Sequence, residues 1–70
     1  MSELSQTISA HFIHAKDGLL YRNLISFAPR VGDELRFADE KYFTVTRLVW
    51  VYDEPEAKFT RLNIGIKEAL

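Results

Sequence analysis

The chain has 70 residues, of which 47% are apolar and 27% are charged, and its formal net charge is −1. A chain of this length forms one domain and buries only about 60% of its unfolded surface, which leaves little room for a deep catalytic pocket. The absence of cysteine excludes a disulfide framework and a thiolate zinc site, and the near-neutral charge excludes the overall basicity of a nonspecific nucleic-acid binder.

The ends of the sequence predict no targeting segment. The segment MSELSQTISA lacks the basic and apolar regions of a secretory signal, and the longest apolar run, at residues 48–52, is too short to cross a bilayer. We therefore expect a cytoplasmic protein with no membrane partner. A single domain over residues 1–70 is expected, with frayed ends at about 1–6 and 68–70.

The N-terminal half predicts a β-hairpin. Apolar alternation indicates strands over residues 7–15 and 19–27. Asp17-Gly18 between them is a strong hairpin signal, because both residues tolerate positive φ. A helix over the second segment is the rival interpretation, because three of its apolar residues also fit a period near 3.6, but the preceding turn favours the strand.

The second half predicts three more strands. The chain turns at residues 28–33, because proline cannot donate to a strand ladder and glycine admits backbone angles that other residues resist. Strands are predicted over 34–37, 41–54 and 58–67, with short polar connections between them. The sequence therefore predicts an all-β fold, a five-stranded meander rolled into a small open barrel of the SH3-like kind.

The long strand over residues 41–54 is apolar on both faces. Alternation assigns one apolar set to each face: Phe43, Val45, Val49 and Val51 to the first, and Tyr42, Leu48, Trp50 and Tyr52 to the second. Such a strand requires cover on both sides, from a rolled sheet or from a partner. A charged residue, Arg47, interrupts the first set, and we expect a β-bulge at Thr46-Arg47 that bends the strand.

Two segments carry a resemblance to a known fold family. Residues 29–37, PRVGDELRF, and 42–50, YFTVTRLVW, resemble the P-x-V-G-D entry and the following hairpin of SH3-like small barrels. In such a motif a buried valine, a glycine at a tight corner and an aspartate that accepts backbone N–H bonds start the strand. The run from VGD to VWVYDE also resembles short uncharacterised bacterial and phage-encoded reading frames, which implies a phage or prophage accessory protein. No glycine-rich later strand of the ribosomal-protein type follows, so the RNA-binding role of those barrels is not implied.

Aromatic and basic residues around the long strand are the candidate partner-binding residues. They are Tyr42, Arg47, Trp50, Tyr52, Phe59 and Arg61. Tyrosine and tryptophan offer large rigid contact areas and arginine adds planar hydrogen bonding, so these residue types dominate interface hot spots. We expect a noncatalytic module that binds and masks another protein, or a second copy of itself in a homodimer. The opposing interpretation places Trp50 and Tyr42 in the barrel core and leaves Arg36, Arg47 and Arg61 as solvated strand charges.

Single-stranded RNA or DNA is the alternative partner. Its bases would stack on the aromatic candidates beside three basic residues. The aromatic residues are Tyr42, Trp50, Tyr52 and Phe59, and the basic residues are Arg47, Lys58 and Arg61. Asp53, Glu54 and Glu56 at the end of the same strand repel a phosphate backbone, which favours the protein partner.

The sequence contains no pattern typical of catalysis. His11 and His14 have an odd spacing, which places them on opposite faces of a strand and prevents them from binding one metal ion together. The carboxylates at residues 39–40 and 53–56 fall at predicted turns, where acidic residues are common for backbone reasons. No P-loop, nucleophile elbow, HExxH or dinucleotide fingerprint occurs. We therefore expect no enzyme activity, no metal site and no cofactor.

Overall fold

Five β-strands account for about two thirds of the described residues. The computed structural model describes residues 7–69, apart from the side chain of Asp39. The strands are β1 (Ile8–His14), β2 (Gly18–Ile25), β3 (Glu34–Phe37), β4 (Lys41–Asp53) and β5 (Lys58–Glu68), with a 3-10 turn, Ala38–Glu40, between β3 and β4. The predicted all-β fold is confirmed, and the segment with a rival helix interpretation is a strand. Within residues 7–69, no helix is long and apolar enough to span a membrane.

The strands form one mixed sheet in the order β2-β1-β5-β4-β3. All neighbouring pairs are antiparallel except β1 and β5, which are parallel. The order differs from a simple meander, because the consecutive strands β2 and β3 lie at opposite edges and β5 is inserted at the centre.

The sheet curls until its two edges meet on the inner face. In a flat sheet β2 and β3 would be about 19 Å apart, four strand spacings. Instead the rings of Tyr21 on β2 and Phe37 on β3 are stacked, with centroids 4.2 Å apart and planes at 4°. The backbones of the two edge strands are not paired with each other, so the sheet forms an open barrel.

The core lies on the inner face of this barrel. Its buried residues are Ala10, Phe12, Phe43, Val45, Leu62, Ile64 and Ile66. Phe37 links them across the opening, because its ring contacts Phe12 and Phe43 edge to face, at 5.1 and 5.6 Å between centroids. Residues from all five strands therefore bury apolar surface in one core.

The turn between β1 and β2 has three residues, because His14 pairs with Gly18. Of the predicted Asp17-Gly18 pair only the glycine has positive φ, at 80°, as in three-residue hairpin loops. The buried His14 completes the turn, since its Nδ1 accepts the backbone N–H groups of Lys16 and Asp17 at 3.1 and 3.3 Å.

The P-x-V-G-D segment forms the turn into β3. The Asp33 carboxylate accepts the backbone N–H of Arg30 at 2.8 Å, as the motif predicts, and Gly32 has a φ of 99°. The backbone N–H of Gly32 donates to the carbonyl oxygen of Val45 at 2.9 Å, which attaches the turn to β4. The expectation of a buried valine is wrong, because Val31 is 61% exposed.

The C-terminal end is held further than the sequence predicts. Glu68 belongs to β5, and the backbone N–H of Ala69 donates to the carbonyl oxygen of Tyr42 at 3.0 Å. Fraying therefore does not begin at residue 68. The predicted frayed segments at 1–6 and at residue 70 lie outside the described residues.

Candidate functional site

A β-bulge in β4 determines which side chains can form a site. Val45 pairs with Ile66 and Arg47 pairs with Gly65, so Thr46 is an extra residue on β4. The bulge lies where the sequence predicts it. Because one residue is added, the side chains after Thr46 change faces relative to those before it.

This change of face separates two of the predicted site residues. Tyr42 lies opposite Arg36 and alternates with the buried Phe43, so it belongs to the outer face. Trp50 lies opposite the buried Leu62, so it belongs to the inner face. The expectation that Tyr42 and Trp50 share a face is therefore wrong. It assumed strict alternation from residue 42 to residue 50, whereas the bulge adds one residue between them.

The far end of β4 and β5 projects beyond the other strands. On β5, pairing with β1 starts only at Arg61, and on β4, pairing with β3 stops at Thr44. Residues 51–60 therefore form a two-stranded hairpin arm. It contributes to the elongated shape, 40 Å along the longest axis against 28 and 19 Å along the others.

Three aromatic residues meet where the arm leaves the barrel, and we call them the aromatic cluster: Trp50, Tyr52 and Phe59. Thr60 is an extra residue on β5, so Phe59 lies on the face opposite Arg61 and pairs with Tyr52. The rings of Tyr52 and Phe59 touch edge to face at 5.1 Å between centroids. Trp50 and Phe59 line one open depression. The exposed fractions are 45%, 49% and 60%, respectively, because no third strand covers this end.

The aromatic cluster is not part of the core. Neither Trp50 nor Tyr42 belongs to the buried set, so the interpretation that they fill the barrel is wrong. The prediction that the centre of the long strand is shielded on both faces is also wrong for this chain alone, because Val49 and the aromatic residues after it are exposed.

The other three candidates lie on the outer face, away from the cluster. Arg47 packs over Gly65, where an added Cβ would lie 2.6 Å from Arg47 Cγ. Arg61 lies between Val51 and Ser9. Tyr42 is at the opposite end of β4. The structure thus brings together Trp50, Tyr52 and Phe59 and separates them from Tyr42, Arg47 and Arg61.

One edge of β4 is available beside the cluster. β3 covers this edge through Thr44, and the turn before β3 extends the cover to Val45 through two backbone hydrogen bonds. Beyond Val45, no backbone hydrogen bond to this edge occurs within residues 7–69. An unpaired edge of this kind accepts an additional strand.

Acidic residues border the tip of the hairpin arm. The turn at residues 54–57 includes Glu54 and Glu56, and Asp53 pairs with Lys58. The Lys58 Nζ lies 3.2 Å from Glu56 Oε1 in an exposed ion pair. The nucleic-acid arrangement predicted from the sequence needs aromatic and basic residues side by side, whereas here Arg47 and Arg61 lie on the opposite face.

His14, Asp17 and Glu68 form the only cluster of potential metal ligands within the described part of the chain, with ligand atoms within 4.8 Å of one another. The His14 Nδ1 already accepts two backbone N–H groups, so Nε2 carries the proton and faces Glu68 Oε1 at 2.9 Å. The His14 ring therefore lies between the β1–β2 turn and the end of β5. Contact with the His14 ring holds the pKa of Glu68 below its usual value.

Comparisons with protein-family models, with curated proteins and with solved structures found no match. Only the chemistry and geometry of the site itself therefore indicate what the protein does.

Proposed function

We propose that the protein is a noncatalytic protein-binding module whose contact surface is the aromatic cluster. The observation that supports this proposal is the exposure of three mutually adjacent aromatic side chains on a projecting hairpin arm. Monomeric soluble proteins seldom expose contiguous apolar patches without a binding role, and tryptophan and tyrosine are the residue types enriched at the centres of interfaces.

The partner is expected to add a strand beside the cluster. A partner strand along β4 beyond Val45 would satisfy unpaired backbone groups of that edge, and its side chains on the inner face would contact Trp50 and Tyr52. Backbone hydrogen bonds then provide affinity, and the side-chain contacts provide specificity. Binding of this kind masks the partner stoichiometrically, which is how a small accessory protein without an active site can inhibit another protein.

The surroundings of the cluster define the chemistry of the partner. The turn at residues 54–57 places acidic side chains next to an apolar surface. The complementary surface is therefore apolar at its centre and basic at its rim. A second copy of the chain can also cover the cluster, about a two-fold axis, and this homodimer is the competing outcome.

The proposal predicts that Trp50→Ala or Phe59→Ala removes partner binding while the protein stays folded. Affinity capture from a host lysate, read by mass spectrometry, should lose the bound protein, with an affinity reduction of about 30-fold for a hot-spot residue. The matched control is Phe27→Ala, which removes an aromatic ring that is 80% exposed in the loop after β2. Loss of capture by the control, or full capture by both cluster variants, contradicts the proposal.

Sedimentation equilibrium distinguishes the two occupants of the cluster. A wild-type mass that rises with concentration, together with a monomeric Trp50→Ala variant, identifies a second copy. A monomeric wild type that captures another protein identifies a heterologous partner.

A further inference from the structure

The outer face of the sheet brings basic side chains from three strands together. Side chains of directly paired residues lie on the same face, and the register defines two adjacent rows across β2, β1 and β5. The rows are Arg22, His11 and Asn63, then Leu24, Ser9 and Arg61. Both rows alternate with the buried residues Ala10 and Phe12 of β1, which assigns them to the outer face.

Arg22 and Arg61 lie on the two strands that flank His11. They are two strands apart, about 10 Å, and one row apart, about 7 Å, so their Cα atoms are about 12 Å from each other. Two long arginine side chains can therefore direct both guanidinium groups to one ligand above the His11 ring.

These arginines have no acidic partner. Within residues 7–69, the ion pairs join His14 to Asp17 and Glu68, and Lys58 to Glu56, and none includes an arginine. The other members of the two rows are uncharged. The Nε atom of Arg61 is buried and has no hydrogen-bond partner among the described residues, so no described residue engages this donor.

The titration of His11 agrees with this concentration of positive charge. Burial lowers the pKa of His11, and the charges of Arg61 and Arg22 lower it further. One cation on β2 and one on β5 therefore act on the ring.

We propose that Arg22, His11 and Arg61 form a binding site for a phosphate monoester group. Two guanidinium groups balance the charge of the phosphate dianion, and its three terminal oxygens can accept bonds from both arginines and the histidine. A carboxylate matches the site less well than a phosphate monoester, because it carries half the charge and has only two acceptor oxygens. The site lies on the face opposite the aromatic cluster, so it does not depend on the protein-binding proposal.

The test is a titration of the full chain with inorganic phosphate, phosphoserine and adenosine monophosphate at constant ionic strength, followed by NMR. The expected result is saturable shifts at the Nε–H groups of Arg22 and Arg61 and at the His11 ring. A preference between phosphoserine and adenosine monophosphate identifies a protein-borne or a nucleotide-borne phosphate. Absence of saturation at these three residues overturns the proposal.

Two variants and a control separate a site from a general charge effect. Arg22→Gln, at an exposed position, should weaken phosphate binding about tenfold without affecting the fold, and Arg61→Gln should do the same. Arg30→Gln removes the same charge from the loop before β3 and should leave binding unchanged. Equal weakening by Arg30→Gln contradicts a specific site.

A second readout comes from the pH titration of His11. Bound phosphate neutralises the nearby arginine charges and adds negative charge, so the pKa of His11 should rise in its presence. An unchanged titration would show that phosphate does not bind beside the ring. Tighter binding of a thymidine oligonucleotide without terminal phosphates, through the same residues, would replace the monoester site with a nucleic-acid backbone surface.

Discussion

His14 joins two distant parts of the chain through its two ring nitrogens. One accepts backbone N–H groups of the β1–β2 turn, and the other faces the Glu68 carboxylate at the end of β5. The sequence places His14 correctly on the face opposite His11. It does not identify Glu68 as the partner, because that contact depends on the parallel pairing of β1 with β5.

Replacing Glu68 with glutamine should destabilise the protein in a pH-dependent way. The folded state lowers the pKa of Glu68 below its ordinary value of 4.5, so the ionised form stabilises the fold. This stabilisation is fully present above about pH 4.5 and is lost as the pH falls through the lower folded-state value. Urea denaturation at pH 7, 4.5 and 3 should therefore give a higher free energy of unfolding for the wild type than for Glu68→Gln at pH 7. The difference in free energy should shrink as the pH falls to 3.

Glu54→Gln is the control for this experiment, because it removes the same charge from the β4–β5 turn, far from His14. A stability difference between wild type and Glu68→Gln that grows toward acid would contradict the stabilising contact between Glu68 and His14.

At the scale of the strands, the local sequence pattern predicts where each strand begins and ends better than it predicts which face each side chain occupies. The predicted strand bounds differ from the observed ones by two residues at most, because alternation and turn residues are local signals. The bulge at Thr46 is also predicted, from the charged interruption at Arg47. To predict which side chains change faces at the bulge, one must know how β4 pairs with β5, and the sequence of β4 does not give this register. For this reason the composition of the aromatic cluster could be predicted only in part.

Gly65 is the residue on β5 that accommodates the bulge. An added Cβ would lie 2.6 Å from Arg47 Cγ and 2.8 Å from Thr46 Oγ1. Gly65→Ala should therefore lower the free energy of unfolding by about 1–3 kcal/mol, as overpacking does, measured by urea denaturation. The double variant with Arg47→Ala should recover part of the loss, because it removes one of the two contacts. Unchanged stability in Gly65→Ala would show that this packing is incorrect.

For the whole molecule, the sequence predicts a small barrel but not how its strands are connected. The all-β class follows from the number and spacing of the strands. The central position of β5 and the stacking of Tyr21 on Phe37 join segments that are far apart in the chain, and periodicity carries no record of such pairings. The aromatic cluster is exposed because β4 and β5 extend past their neighbouring strands. Predicting this extension also requires the pairing register.

Closure of the barrel depends on Phe37, whose ring contacts Phe12, Tyr21 and Phe43. Phe37→Ala should reduce the free energy of unfolding by about 3 kcal/mol. A domain of this length has roughly 4–10 kcal/mol in total, so the variant should lose about a third or more of its stability and unfold at a lower temperature in thermal denaturation. Phe27→Ala, at an exposed ring, should change stability by about 0.5 kcal/mol or less. Similar losses in the two variants would exclude Phe37 as the closing residue.

The placement of β5 between β1 and β4 has a consequence during synthesis. The ribosome adds about 5–20 residues per second, and until residue 68 has emerged, the two earlier hairpins have no strand to connect them. Their apolar inner surfaces then remain open to solvent or to a chaperone. We expect the nascent chain to close its barrel in one late step, and a premature stop before β5 to yield an aggregation-prone fragment instead of a smaller folded protein.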